Sequence, residues 1–314
     1  MRKPLKIILP TVAVLAAVPV LAVATSAIFN AIATKSDLAA ITPYGEFVQV
    51  AGKRMNVVDT GTGDETIVLL PGLGTAAPAL DFEPLVAELR ATHRVIAIEP
   101  LGTGLSDQAD TPRTAAHIVE EVHEALQQLG VEKYVLMGHS IAGIYALEYS
   151  ARYADELVAF VGIDSSVPGQ PGSTDEVATD GLAALNHLGI IRVLSAISGD
   201  PYAGMQFDDE TKRQMRLLST KNSMGPAILD EMRLAPENFA ALRDARFPES
   251  LPVLLLVATE DTEVAGWVDL HEQQAETVAH GEMKLFAGGH YLHHTHSPEI
   301  AAETTAFLAD LTAG

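Results

Sequence analysis

The chain has 314 residues, of which 48% are hydrophobic, enough for one large globular domain or one domain with a sizeable insertion. Its 41 acidic and 20 basic residues give a net charge of −21, which repels phosphate backbones and argues against nucleic acid as a partner. There is no cysteine, which excludes disulfides, thiolate catalysis and cysteine-ligated metals.

The N-terminal segment combines a basic flank with a long apolar run. Three basic residues lie within the first six, and residues 7–34 carry no charged side chain. A spanning helix needs about 20 apolar residues, whereas the apolar region of a signal peptide has about 7–15. We therefore interpret residues 1–34 as a membrane anchor with the rest of the chain outside the cytoplasm. The Ala-Val-Ala tripeptide at 22–24 resembles a cleavage site, so secretion after cleavage is the alternative.

The chain beyond the anchor alternates between strand-like and helix-like segments. Residues 35–46 predict a polar connector, and alternating residues over 47–61 predict an antiparallel hairpin. Near-continuous apolar runs then predict strands buried on both faces of a parallel sheet, at 66–72, 93–100, 134–140, 157–164 and 251–259. Helix-length segments separate most of them, at 82–93, 114–130 and 141–154. This alternation predicts a doubly wound α/β fold, with its core in residues 47–164 and 249–314.

One long segment interrupts the alternation. Residues 165–248 contain no continuous strand-like run, but begin with Pro/Gly-rich turns and continue with irregular helical patterns. They also hold four of the eight methionines, whose flexible side chains suit either a helix core or an apolar binding surface. We expect a helical lid inserted at the carboxyl ends of the strands.

The heptapeptide MGHSIAG places Ser140 at the joint between a predicted strand and a predicted helix. A nucleophile elbow has this context, since its sharp turn lifts the serine hydroxyl above the sheet edge. Strand and helix approach closely there, so the residues two before and two after the serine must be small. Gly138 and Ala142 meet this requirement. The adjacent His139 is expected to point away from the serine and to be structural.

The residues downstream of Ser140 offer a base and an acid. His290 follows an apolar run and two glycines, so it lies on a loop at the carboxyl end of a predicted strand. Asp261 follows the preceding predicted strand, and we favour it as the carboxylate that orients the imidazole. Glu260 and Asp164 remain alternatives, because each also ends a strand-like run.

Acyl transfer also needs hydrogen-bond donors for the developing oxyanion. The backbone N–H of Ile141 directly follows the serine, and Leu73 lies in the loop PGLGT after the first parallel strand. Gly72 and Gly74 in that loop let the backbone approach a ligand. No lysine of a phosphate-binding loop follows, so we do not interpret these glycines as a phosphate cradle.

Four histidines lie within seven residues, at His290, His293, His294 and His296. They match no zinc-binding spacing and have no cysteine to assist them, so we expect no metal and no cofactor. A packing role is favoured for His293.

Together these motifs resemble the α/β-hydrolase fold superfamily. The resemblance is carried by PGLGT, HRVIAIEPLGTGLSD, MGHSIAG, LLLVATED and GGHYLHH. It extends from about residue 47 to 311 and is nearest to a proline iminopeptidase-like and esterase-like branch that includes membrane-anchored bacterial members. It implies that Ser140 is the nucleophile, His290 the base and Asp261 the acid.

The resemblance further implies that Leu73 and Ile141 donate to the oxyanion. Three residues depart from the family pattern: Ala142 at the elbow, Pro71 before the oxyanion glycine, and Glu99 after the next strand. The elbow carries no aspartate, which argues against haloalkane dehalogenase or epoxide hydrolase chemistry.

These observations predict an exported, membrane-anchored serine hydrolase that acts on a small-molecule ester or amide. The methionines of residues 165–248 favour an apolar acyl group and hence an esterase. An aminopeptidase would need an acidic residue for the substrate amine, and Glu210 or Glu231 could supply it. A binding or signalling protein with a vestigial triad is the alternative from another class.

Overall fold

The computed structural model describes residues 5–260 and 264–313. The chain divides into two compact units. The larger unit consists of Thr42–Thr179 and Gly204 onward, and the smaller consists of the residues up to Ile41 together with Asp180–Ala203.

An eight-stranded sheet forms the centre of the larger unit. Its strands are β1 Glu46–Val50, β2 Lys53–Thr60, β3 Thr66–Leu70, β4 Arg94–Glu99, β5 Tyr134–His139, β6 Leu157–Ile163, β7 Val253–Ala258 and β8 Gly281–Phe286. They lie in the order β1-β2-β4-β3-β5-β6-β7-β8. The first two strands pair antiparallel, as do β2 and β4, and every other pairing is parallel.

Helices cover both faces of this sheet and create two hydrophobic cores. Along β3, Val68 and Leu70 point into one core, and Ile67 and Leu69 point into the other. Apolar side chains are therefore needed at successive positions, which explains the continuous apolar runs. The helices are α2 Pro78–Asp81, α3 Glu83–Leu89, α4 Ala115–Gln128, α5 Ala142–Tyr153, α10 Trp267–Ala275, α11 Leu292–Thr295 and α12 Ser297–Ala313. The predicted doubly wound α/β fold is confirmed.

Four helices lie in the chain between β6 and β7. They are α6 Leu182–His187, α7 Ile190–Ser198, α8 Asp209–Asn222 and α9 Pro226–Ala241. The last two belong to the larger unit, whereas α6 and α7 belong to the smaller unit. The segment predicted as one helical lid is thus shared between the two compact units.

The N-terminal helix α1 spans Leu5–Ala39 and continues five residues into the segment predicted as a connector. That segment was predicted from its polar composition, but it contains neither glycine nor proline before Pro43, so nothing in it ends a helix. Val18–Ala39 is long and apolar enough to cross a membrane, and none of its apolar window is buried. A signal sequence near an N-terminus passes the same test, so the helix fits either a membrane anchor or a signal sequence.

Candidate active site

Ser140 lies in a tight turn between β5, which ends at His139, and α5, which begins at Ala142. Its backbone φ of 55° lies in the left-handed region, which residues other than glycine rarely adopt. Two N–H groups hold this turn by donating to the Ser140 carbonyl, those of Gly143 at 3.0 Å and Ser166 at 2.7 Å. The chain thus maintains a strained backbone at the predicted nucleophile.

The small residues around Ser140 have distinct steric roles. A Cβ added to Gly138 would lie 2.7 Å from the Ala142 Cβ, which is closer than two carbons can approach. A Cβ on Gly143 would lie 2.3 Å from the Ser166 carbonyl oxygen. Alanine is accommodated at 142 because position 138 is glycine, and Gly143 is required by the backbone of Ser166.

This packing predicts a specific non-additivity. We expect Gly138→Ala to lower the free energy of unfolding by about 1–3 kcal/mol, since it overpacks the joint. Ala142→Gly should restore part of that loss in the double variant because it removes the atom that clashes. Urea denaturation of the two single variants and the double variant measures the coupling. An equal loss from Gly138→Ala in both backgrounds would show that the two side chains do not compete for space.

His290 lies in the loop between β8 and α11, at the sheet edge that also carries Ser140. Its Nδ1–H donates to the Asp164 Oδ2 at 2.6 Å. Its carbonyl oxygen accepts from His139 Nε2 at 3.1 Å, and the rings of the two histidines lie 4.6 Å apart. The loop is thereby held against the residue that directly precedes Ser140.

Asp164 directly follows β6 and is fully buried. Its other oxygen, Oδ1, accepts from the Trp267 indole N–H at 2.7 Å and from the Ala258 backbone N–H at 2.9 Å. These donors compensate the burial of the carboxylate and orient its Oδ2 toward His290. The backbone is again strained, with a φ of 42°.

The carboxylate preferred in the sequence analysis, Asp261, lies outside the described residues. Glu260 is exposed, and its backbone N–H donates to the Gly288 carbonyl at 3.1 Å. Among the residues that the structure describes, Asp164, one of the two alternatives, forms a hydrogen bond with His290. Trp267 was not anticipated, although it is the chain's single tryptophan and begins the helix after β7.

The loop after β3 approaches Ser140 closely. A Cβ on Gly72 would lie 3.1 Å from the Ser140 Cβ and 2.7 Å from His139 Nδ1. Gly74 has a φ of 76°, and a Cβ there would lie 2.8 Å from the Met232 methyl group. Gly72 is therefore needed for the approach to Ser140, and Gly74 for the left-handed turn and its close packing against Met232.

A buried cluster that the sequence analysis missed lies behind this edge. The Asp81 carboxylate accepts from His293 Nε2 and from His294 Nε2, each at 2.9 Å. The His293 ring in turn lies 4.6 Å from the His139 ring. Burial opposes ionisation of Asp81, but the charges and hydrogen bonds of the two histidines outweigh it and lower its pKa well below the usual range. The two histidines stood out in the sequence, but their partner is signalled only by a lone aspartate in the apolar sequence PALDF.

The lowered pKa of Asp81 predicts acid sensitivity. An aspartate whose pKa is lower in the folded state adds stability above its unfolded pKa and loses it as the pH falls below about 4. We expect Asp81→Asn to cost about 3 kcal/mol at pH 7 and to flatten the acid limb of the stability profile. Urea denaturation from pH 3 to 7 measures this, with the exposed Asp310→Asn as control. An unchanged acid limb in Asp81→Asn would contradict the assignment.

Glu99 is also fully buried, and its surroundings explain why it departs from the family pattern. Its carboxyl oxygens accept from Tyr44 Oη at 2.7 Å, the Leu105 N–H at 2.7 Å and Asn56 Nδ2 at 2.9 Å. Burial raises its pKa. A Cβ on Gly104 would lie 1.8 Å from this carboxyl group. Glu99 therefore ties the β1–β2 region to the loop after β4.

One class of enzyme combines three features seen in this chain. They are a mostly parallel sheet, a serine in a strained turn after its fifth strand, and a histidine–aspartate pair at the same edge. Residues 67–304 match the alpha/beta hydrolase family, and the chain belongs to that family. Hydrolases are among its relatives, so the chain is an alpha/beta hydrolase enzyme.

Three similar proteins illustrate the range of the family. The chain is 28% identical to the uncharacterized protein YbdG of Bacillus subtilis (strain 168) over 268 residues, which cover 82% of this chain and 81% of the relative. It is 23% identical over 216 residues to 2-hydroxy-6-oxo-6-(2'-aminophenyl)hexa-2,4-dienoic acid hydrolase of Metapseudomonas resinovorans, covering 67% and 72% of the two chains. A thermophilic esterase from Thermogutta terrifontis has the same fold, with a TM-score of 0.64 at 20% identity over 86% of this chain and 99% of that chain.

Proposed function

We propose that this alpha/beta hydrolase is a serine esterase whose triad is Ser140, His290 and Asp164. The observation that carries the proposal is the 2.6 Å hydrogen bond from His290 to a buried Asp164, at the edge where Ser140 occupies a strained turn. Asp164 thus takes the role that the sequence analysis gave to Asp261.

The hydrogen bond to Asp164 keeps the proton of neutral His290 on Nδ1 and leaves Nε2 as the base. Nε2 removes the proton from the Ser140 hydroxyl as its oxygen attacks the ester carbonyl carbon. The tetrahedral intermediate collapses when His290 returns that proton to the leaving alcohol, which leaves an acyl-serine. Water then attacks the acyl carbon with His290 again as base, and releases the acid and free Ser140.

The oxyanion formed in each step needs two donors, and we assign the N–H groups of Leu73 and Ile141. The Gly72 contact with the Ser140 side chain brings the first peptide near the reacting carbon, and Ile141 begins the turn into α5. Within residues 5–260 and 264–313, neither N–H donates to another protein group. Removing one such donor typically costs about 10²–10³ in kcat.

Two acidic side chains bear on the choice between ester and amide. Glu231 accepts from Tyr145 Oη at 2.7 Å, and burial raises the pKa of its carboxyl group, which weakens it as a partner for an ammonium group. Glu210 pairs with Arg213 at 2.7 Å on an exposed helix face. Neither residue suits the recognition of a substrate amine, so we favour an ester over the proline iminopeptidase-like alternative.

A substrate panel tests this preference. We expect turnover of p-nitrophenyl esters from acetate to octanoate, and none of prolyl or alanyl p-nitroanilide, because neither Glu210 nor Glu231 suits binding of the amine. Glu231→Gln should leave both results unchanged, with ester turnover retained and anilide turnover still absent. Faster anilide turnover that Glu231→Gln abolishes would identify an aminopeptidase instead.

We further propose that the enzyme is held at the cell membrane by α1, with its catalytic unit outside the cytoplasm. The exposed apolar surface of Val18–Ala39 and the basic residues before it support this location. Secretion after cleavage near residue 24 is the alternative.

A further inference from the structure

The smaller unit contains an unusually apolar helical hairpin. Gly181–Gly199, here called the apolar hairpin, comprises α6 and α7. Among its residues only His187 and Arg192 have ionisable side chains. Neither helix buries a single residue, although both are rich in leucine, isoleucine and valine.

The exposed side chains of α7 form one continuous stripe. Val193, Leu194 and Ile197 are exposed, and with the partly buried Ile190 they follow the i, i+3, i+4, i+7 spacing of one helix face. Val193 is 54% exposed and Ile197 76% exposed. A contiguous apolar surface of this kind marks a contact with another protein or with a membrane.

The apolar hairpin contacts α1 at several successive positions. Its tip, Leu188, shares an apolar surface pocket with Pro19, Val20, Val23 and Ala24 of α1. The next residue, Gly189, approaches so closely that a Cβ would lie 2.7 Å from the Ser26 hydroxyl. The tip therefore lies level with the middle of the uncharged stretch of α1.

Arg192, the single arginine of the apolar hairpin, contacts α1 nearer to the C-terminal end of that helix. Arg192 donates to Asn30 Oδ1 at 2.8 Å, to Thr34 Oγ1 at 3.0 Å and to Asp37 Oδ2 at 2.8 Å. From the level of Ala24 to that of Asp37, α1 rises about 20 Å at 1.5 Å per residue. The charged group thus points along α1 toward its polar end, as long basic side chains do at a membrane surface.

We propose that the apolar hairpin inserts into the outer leaflet of the bilayer beside α1, with Arg192 at the headgroup level. The occupant of the exposed stripe is then lipid acyl chain, because the apolar hairpin packs against α1, which we propose to span the membrane. The proposal rests on the proposed membrane location and not on the proposed chemistry. If the proposal is correct, α6 and α7 contact lipid, although the sequence predicts them as part of a lid.

The absence of native cysteine allows a direct test in the full chain. Val193→Cys and Ile197→Cys are labelled with an environment-sensitive fluorophore and reconstituted into phosphatidylcholine vesicles. Leu285→Cys is the matched control, since Leu285 lies on β8 of the larger unit and is 55% exposed. Phe29→Cys, on the exposed face of α1, reports the anchor itself.

We expect the labels at 193 and 197 to be quenched by lipids with nitroxide on the acyl chain and protected from aqueous iodide, as the label at 29 should be. The control at 285 should show the reverse. Quenching of 193 and 197 by iodide alone, with 29 still in lipid, overturns the hairpin proposal and preserves the anchor. Protection from both quenchers, with energy transfer between labelled copies, overturns it in favour of a second copy of the chain.

Iodide quenching at position 29 as well would remove the membrane location together with the hairpin proposal. Labelling of Ser140 by a fluorophosphonate in the same samples is a separate measurement. It reports the chemistry whichever location is correct, and it verifies that each cysteine variant is folded.

Discussion

Replacing Ser140 by alanine is expected to lower kcat for p-nitrophenyl esters by about 10⁶-fold, because it removes the oxygen that we propose forms the acyl-enzyme. Alanine should leave the fold intact, since it adopts the backbone conformation of Ser140 as readily as serine does. A fluorophosphonate probe should label the native chain and fail to label Ser140→Ala. The loss should appear in kcat and kcat/KM together, as expected when an interaction of the transition state is removed.

The matched control for this experiment is Ser150→Ala. Ser150 is buried on α5, where its hydroxyl donates to the Leu147 carbonyl at 3.0 Å. Its replacement should cost about 1 kcal/mol of stability and leave labelling unchanged. If the folded native chain is not labelled, the esterase proposal is wrong and a binding protein on the same fold becomes the better description.

Replacing Asp164 by asparagine is expected to lower kcat by about 10⁴-fold, the second largest effect. An asparagine amide can stabilise the opposite tautomer of His290 and cannot balance the charged imidazole of the transition state. Retained fluorescence of Trp267, whose indole N–H contacts this side chain, would show that the surroundings are preserved. Ester kinetics and thermal unfolding of the purified variant measure the two quantities separately.

The comparison with Asp261→Asn decides between the two carboxylates. Because we propose that Asp164 orients His290, Asp261→Asn should lower kcat far less than Asp164→Asn does. The assignment of Asp164 is refuted if Asp261→Asn abolishes turnover while Asp164→Asn retains it. A comparable loss in both variants would mean that the imidazole uses both carboxylates.

Local patterns accounted for the parts of this protein that depend on neighbouring residues. The apolar runs predicted the strands because a strand covered on both faces must be apolar at successive positions, as Ile67 and Val68 illustrate. Ser140 could be located because a strand, a small-residue turn and a helix follow one another directly in the chain. His290 could be located because it follows the last strand of an open sheet.

The acid could not be chosen in this way. Asp164 follows β6, and Glu260 and Asp261 follow β7, so three carboxylates end neighbouring parallel strands. Sequence spacing does not distinguish them. The donors from Trp267 and Ala258 that hold Asp164 toward His290 come together only in the folded chain.

The fold class, the small-residue turn at Ser140 and a loop position for His290 could be predicted from the order of the residues in the chain, because each follows from neighbouring residues or from strand order. The hydrogen bond between His290 and Asp164, the contact of Asp81 with His293 and the binding of Arg192 to α1 became visible only in the folded chain. Asp81 and His293 are 212 positions apart, and Arg192 and Asp37 are 155 apart. Contacts at such separations leave no periodic pattern in the chain, since they are formed by packing between whole elements.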